Sequence, residues 1–232
     1  KADANTGTFD MDLEQERIIL PVSAVRLNMA YDREKTGWDV STFDLRVADV
    51  PVSAGATLTR DSSGVYQGML ELRVPNVKQD QILPFWPKGG RDHGLGKWMT
   101  EKLSGIAFSD VHVDIPVQVG VKDGQFNFEV LSPRARWAFD NLRADYLPPL
   151  IPVEQGKGTA TYENDTLAIQ ISEGRIRDLT LKKDSTVTMT ELTKAGAGEA
   201  HLDVTLMGPL KTMTDYIRDE PIAMGHKIPF DT

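Results

Sequence analysis

Val111-His112-Val113-Asp114-Ile115-Pro116-Val117-Gln118-Val119 is the stretch on which the fold turns. Its β-branched residues recur at every second position, with His112, Asp114, Pro116 and Gln118 between them. Successive side chains of a strand point to opposite faces, so this period of two gives one apolar and one polar face. A helix would scatter the same residues around its circumference. Working outward, the pattern returns downstream in Thr166-Leu167-Ala168-Ile169-Gln170-Ile171-Ser172 and in Ala200-His201-Leu202-Asp203-Val204-Thr205-Leu206. Upstream it is carried by Val25, Leu27 and Met29, by Phe43, Leu45 and Val47, and from Met69 or Leu70 through Leu72 to Val74. Strands dry on one side only belong to an antiparallel sheet.

The residues between these runs have hairpin chemistry. Lys122-Asp123-Gly124-Gln125 carries an Asp-Gly pair suited to the positive φ angles of a type I′ turn. Asp61 to Gly64, Arg33 to Gly37 and Glu163-Asn164-Asp165 have similar turn residues. Two segments predict helices: Gly94 to Ser104, with Leu95, Trp98, Met99 and Leu103 on one stripe, and Pro209 to Glu220, with Leu210, Met213, Tyr216 and Ile217. Propensity allows a helix over Arg134 to Tyr146, but Trp137 and Phe139 alternate, which favours a strand with an irregularity. Gly105-Ile106 through Asp110 to Val113 resembles Gly174 through Asp178 to Leu181, which suggests an array of similar β units.

Composition narrows the function classes. Against 26 Lys and Arg stand 34 Asp and Glu, a net charge of −8 with a pI near 5.1. No basic stripe exists to neutralise phosphates, so nucleic acid is not an expected partner. Without cysteine, neither disulfides nor thiolate metal sites are available. No apolar run approaches the roughly 20 residues that span a bilayer, and no export signal opens the chain. Lys1 to Gly7 reads as a cut into a longer polypeptide.

Catalytic signatures fail on inspection. Pro87 to Trp98 is rich in glycine, but a phosphate loop needs Gly where Arg91 stands and Ser or Thr where Trp98 stands. His93, His112, His201 and His226 are scattered, without metal-ligand spacing. His112 with Asp114, and His201 with Asp203, fall on polar strand faces. No nucleophile elbow is present. The expectation is a non-enzymatic chain without cofactor. Asn164-Asp165-Thr166 fits a glycosylation sequon but coincides with a turn. Trp38, Trp86, Trp98 and Trp137 read as aromatic core.

Several segments taken in order resemble a known family. Phe85-Trp86-Pro87-Lys88 is followed by Lys97-Trp98-Met99, Leu103-Ser104-Gly105-Ile106 and Asp110 to Val113; then come Tyr146-Leu147-Pro148-Pro149-Leu150-Ile151-Pro152, Gly156-Lys157-Gly158 and Gly174-Arg175-Ile176. Gly208-Pro209-Leu210 and Glu220-Pro221-Ile222 close the set. This order resembles the AsmA-like repeat of bacterial envelope proteins, the YhdP-like, bridge-like lipid-transport type, over about residues 80 to 230. The Gly-rich Gly89 to Gly96 departs from that pattern. The resemblance implies a periplasmic chain tethered to the inner membrane by a segment not present here, whose curled sheet carries phospholipid between membranes.

Together these readings predict a mainly-β fold: an elongated, curled antiparallel sheet forming a groove, with two short helices. Residues 1–80 would supply strands of a preceding β unit and 81–232 an AsmA-like repeat unit within one continuous sheet. Two helices are too few to cover such a sheet, so the apolar rows Val111, Val113, Ile115, Val117 and Val119, and Leu167, Ile169 and Ile171, are candidate lipid-groove positions. The partner is then phospholipid or another acyl lipid, with membranes reached through other parts of the protein. The competing class is a non-catalytic envelope scaffold that binds a partner through a sheet edge; a polysaccharide-binding β module lacks the aromatic clustering it would need. An Asp at Val113 or Ile169 is expected to empty the groove while sparing expression, and unchanged lipid occupancy in both variants would remove these rows from the assignment.

Overall fold

The computed structural model describes residues 2–13, 16–34, 36–83, 94–122, 125–146, 148–193, 198–218 and 222. The first strands are β1 (Ala2–Leu13), β2 (Glu16–Asp32), β3 (Gly37–Val47), β4 (Val50–Arg60) and β5 (Tyr66–Lys78). Two helices follow, α1 (Gln79–Ile82) and α2 (Gly94–Glu101). Next come β6 (Leu103–Ser104), β7 (Ala107–Lys122), β8 (Gln125–Val130), β9 (Arg134–Ala144) and β10 (Val153–Glu163). The chain continues through β11 (Thr166–Ile176), β12 (Leu179–Leu181), β13 (Ser185–Thr190), β14 (Glu199–Asp203), β15 (Leu206–Met207) and α3 (Leu210–Arg218).

Hydrogen bonds order the strands β1-β2-β3-β4-β5-β7-β9-β10-β11-β12-β15, with β6, β8, β13 and β14 paired beside that path. The fold is mainly β, and its antiparallel sheet is not closed. The two expected helices are present. A third, α1, is a single turn whose start is capped by the Gln81 side chain accepting the Lys78 N–H at 2.9 Å. Compact packing divides the chain into two units interleaved in sequence. One comprises Lys1–Lys88, Phe108–Trp137 and Thr161–Asp165; the other comprises Gly89–Ala107, Ala138–Ala160 and Thr166–Thr232.

Turn chemistry explains the hairpins. Asn164 and Asp165 both take positive φ, 49° and 59°, the type I′ pattern expected from their residue types. The turn between β3 and β4 does the same with Ala48 and Asp49, at 44° and 71°, although alanine gives no local signal for it. Between β4 and β5, Oδ1 of Asp61 accepts the N–H groups of Ser63 and Val65 at 2.9 and 3.0 Å. The Ser63 hydroxyl, which donates to the same oxygen at 2.6 Å, and then these backbone bonds hold the Asp61 carboxyl below its ordinary range. Asp123 and Gly124 lie outside the described residues, but β7 and β8 pair as the turn requires, Lys122 opposite Gln125.

Strand alternation is reset at bulges. In β9 Phe139 is buried, then Asp140 and Asn141 are both exposed, and burial resumes at Leu142 and Ala144. Asn141 takes φ 57° and its side-chain amide donates to the Gly105 carbonyl at 3.0 Å. This is the irregularity anticipated between Arg134 and Tyr146. Gln155 resets β10 in the same way, φ 54°, between Val153 and buried Gly156. Asp110 in β7 also takes positive φ, 50°, and Ala24 (φ 52°) marks the register shift in β2 between Ser23 and Arg26. The two stretches read as an internal repeat fold differently: Asp110 lies within β7 with φ 50°, whereas Asp178 sits in the turn between β11 and β12.

The second unit has a dry core. Ile106, Phe139, Leu150, Ala160, Leu167, Ile176, Leu179 and Leu181 are buried, Leu179 completely. Buried Ser185 accepts the Thr205 N–H on its Oγ at 3.0 Å and interrupts the expected Ala200 to Leu206 strand, splitting it into β14 and β15. That segment is exposed throughout β14 instead of dry on one face, with Leu202 at 50%. On α3 the buried residue is Thr214, its hydroxyl bonded back to the Leu210 carbonyl at 2.8 Å, while Leu210 is exposed. The stripe is thus rotated from the expected one. Tyr216 shares a hydroxyl hydrogen bond with Tyr146, and burial followed by that bond pushes the Tyr146 phenol far above its ordinary pKa.

At Gly158 on β10 an added Cβ would run into the Gln170 carbonyl of β11 and come 2.8 Å from Cζ of Phe139. Gly158→Ala is therefore expected to lower stability by about 1–3 kcal/mol in urea denaturation. Gly7→Ala, with nothing within 4 Å, should be neutral or slightly stabilising.

Candidate functional site: an apolar sheet face

The register of β2 to β5 places their apolar residues on one face. Leu27 lies opposite Phe43, Phe43 opposite Ala54, and Ala54 opposite Leu72. The next row is Met29, Val40, Ala56 and Leu70, and the one after it Tyr31, Trp38, Leu58 and Gly68. Directly opposed residues of an antiparallel pair share a face, so twelve consecutive positions carry no charge and only one hydroxyl, that of Tyr31. The reverse face is polar: Asn28 Nδ2 donates to Ser41 Oγ at 3.0 Å, and Ser53 Oγ to Asp44 Oδ1 at 2.8 Å.

A sheet face this apolar is normally buried under another layer. Here the rows are half-buried at best, and burial falls along the strands. Val22 and Val50 are packed at one end, at 9% and 5% exposure, whereas Met29 and Tyr31 reach 42% and 44% towards the other. Trp38 is 36% exposed, so it belongs to this open face and not to the aromatic core that its type suggested. Its ring stands 5.0 Å from that of Tyr31, tilted by 56°.

The sequence-derived groove rows occupy the two units separately. On β7, in the first unit, Val117 is buried at 1%, while Val111, Val113, Ile115 and Val119 are half-buried. β8 continues this row with exposed Phe128 opposite Val119 and exposed Val130 opposite Val117. The intervening His112, Asp114, Pro116 and Gln118 are equally half-buried, and His112 Nδ1 meets Arg136 Nη2 at 3.2 Å. β7 therefore lacks the simple wet and dry faces expected of it. On β11, in the second unit, Leu167 is buried and Ile169 and Ile171 are half-buried, opposite Met189, Val187 and Ser185. His201 is exposed beside Asp203; His93, His226 and Trp86 lie outside the described residues.

The β2–β5 face was partly visible in sequence. Its parity changes within strands: Trp38 and Val40 fall on even numbers, but Phe43 and Leu45 on odd ones, because the register slips between Val40 and Phe43. Simple alternation therefore undercounts it. Among the described residues no cluster of His, Asp and Glu is placed to hold a metal ion, and no helix is long and apolar enough to cross a membrane.

No family model, curated protein or solved structure matches the chain. A functional assignment therefore rests on the chemistry of this face. If the face is accessible in solution, the full chain should enhance the fluorescence of an apolar dye such as ANS. Val40→Asp with Leu70→Asp should lower that signal severalfold. Because both positions are half-buried, the pair should cost less than the roughly 2–5 kcal/mol of a core truncation; undiminished dye binding would locate the accessible apolar surface elsewhere.

Proposed function

We propose that the chain shelters the acyl chains of phospholipid on its apolar sheet face, as part of a periplasmic device that moves lipid between inner and outer membranes. The observation that carries this reading is the uncovered β2–β5 face. It offers a broad aliphatic and aromatic surface with no buried hydrogen-bonding group to select one rigid partner. Each CH₂ taken from water contributes roughly 0.8 kcal/mol, so tails gain affinity from area without a shaped pocket. Successive strands lie about 4.8 Å apart, a spacing close to the width of a hydrocarbon chain. Extended tails can lie along the shallow channels between side-chain rows. The resemblance to AsmA-like envelope proteins supports the same role and supplies the compartment.

A second reading keeps the chain as a scaffold. Among the described residues β14 pairs only with β13, and all of its residues are exposed, leaving an edge to which an extended partner could add.

Native mass spectrometry of the purified chain, followed by lipid extraction, separates the two. The shelter predicts co-purifying phospholipid that falls to background in Val40→Asp/Leu70→Asp. A lipid-free, stably folded chain that instead holds a protein partner, lost on inserting proline at Leu202, would establish the scaffold.

A further inference from the structure

The open end of the β2–β5 face terminates in a cation beside an aromatic ring. Arg60 follows Leu58 by two residues on β4 and pairs with Tyr66, so both project from the apolar face one row beyond Tyr31, Trp38 and Leu58. The Arg60 guanidinium carbon stands 5.9 Å from the centre of the Tyr66 ring. Its Nε donates to the Gly64 carbonyl at 3.3 Å, and a Cβ at Gly64 (φ 88°) would come 3.1 Å from Nη2. Glycine there makes room for the guanidinium to lie over the turn.

The neighbouring acid does not neutralise it. Asp61 turns its carboxylate into its own turn, where Ser63 and Val65 occupy Oδ1. Among the described residues no carboxylate pairs with Arg60, so Nη1 and Nη2 keep donors for a ligand. In a chain of net charge −8, an unpaired cation at the exposed end of an uncharged face is a local reversal of sign.

We infer that Arg60, with Tyr66 beside it and Tyr31 and Trp38 in the row behind, receives the phosphate of a lipid head group while the tails lie on the rest of the face. The inference rests on the shelter reading and adds a polarity to it. From Arg60 back to Val52, eight residues of β4 measure about 27 Å at ~3.4 Å per residue. One leaflet of hydrocarbon is about 15 Å, half of the ~30 Å core, so the tails of a single lipid fit within that length. The far end is closed by packed Val22 and Val50, which leaves the Arg60 end for a solvated head group. Tyrosine and tryptophan favour such a boundary because their rings are apolar and their tips polar, and the planar arginine fork matches phosphate oxygens.

The test uses the full chain and two probes sharing one NBD-labelled acyl pair: phosphatidylglycerol, and diacylglycerol without the phosphate. Both are titrated below their critical micelle concentrations. Arg60→Gln should weaken phosphatidylglycerol about tenfold and leave diacylglycerol within about twofold, with Arg60→Lys between. Added salt should weaken only the phosphate lipid. Unchanged phosphatidylglycerol affinity in Arg60→Gln overturns the assignment while leaving the shelter in place, and equal loss of both probes overturns it as a general structural defect. Wild-type chain that binds neither probe overturns both the inference and the shelter.

Discussion

The antiparallel ladder joining β2, β3, β4 and β5 is the interaction on which the other features depend. Its hydrogen bonds set which residues stand opposite one another, and opposition decides which side chains share a face. Leu27, Phe43, Ala54 and Leu72 are far apart in the chain yet form one row because three hairpins fix their register. A slip of a single residue would turn a row to the wrong side. Hairpin turns therefore have a functional as well as a topological consequence: Ala48 and Asp49 hold their left-handed backbone so that Val47 meets Val50, and the pairs as far as Phe43 and Ala54 follow from that one.

The two units use this ladder differently. In the second, side chains from β9 to β12 and the segments around them close over one another until Leu179 and Leu181 are dry. In the first, burial is concentrated at Val117, Phe108 and the Val22–Val50 end, and it fades along the strands of β2 to β5. The same period-two chemistry thus yields a conventional core in one place and an uncovered surface in another.

The mainly-β fold and antiparallel pairing were legible because Val111 to Val119, Leu167 to Ile171 and Leu70 to Val74 alternate cleanly; whether the sheet closes on itself was not, since alternation is the same in an open and a closed sheet. Both longer helices were legible in place from their periodicity and flanking residues, but the buried side of α3 was not: it turns on Thr214 and leaves Leu210 exposed. The β9 irregularity was visible in the competing periodicities around Trp137 and Phe139. The positions of positive φ inside strands were not, because the local preference of Asp and Asn for that backbone does not mark which of the chain's many such residues, Asp110 and Asn141 among them, adopt it, and Gln155 has no such preference. The role of Thr205 was also hidden: its partner Ser185 is 20 residues away, and their bond breaks an otherwise regular alternating strand. The candidate face was half-visible. Its hydrophobic residues were identified strand by strand, but their assembly into rows required the register, and the register slips between Val40 and Phe43.

The bulges at Asn141 and Gln155 lie on neighbouring strands, flanked by the Arg143–Glu154 and Lys157–Asp140 ion pairs. Each adds one residue to its strand, and each inverts the parity of everything beyond it. The Arg134–Glu163, Asp140–Lys157 and Arg143–Glu154 ion pairs keep one spacing along the two strands, so the side chains on either side of the bulges stay in step. This arrangement gives sequence drift an arithmetic. A lone insertion or deletion in β9 or β10 inverts one strand against its neighbour, whereas matched changes in both preserve the faces. Length variation in such strands should be inherited in pairs, and a one-residue gap in β9 should carry its counterpart in β10.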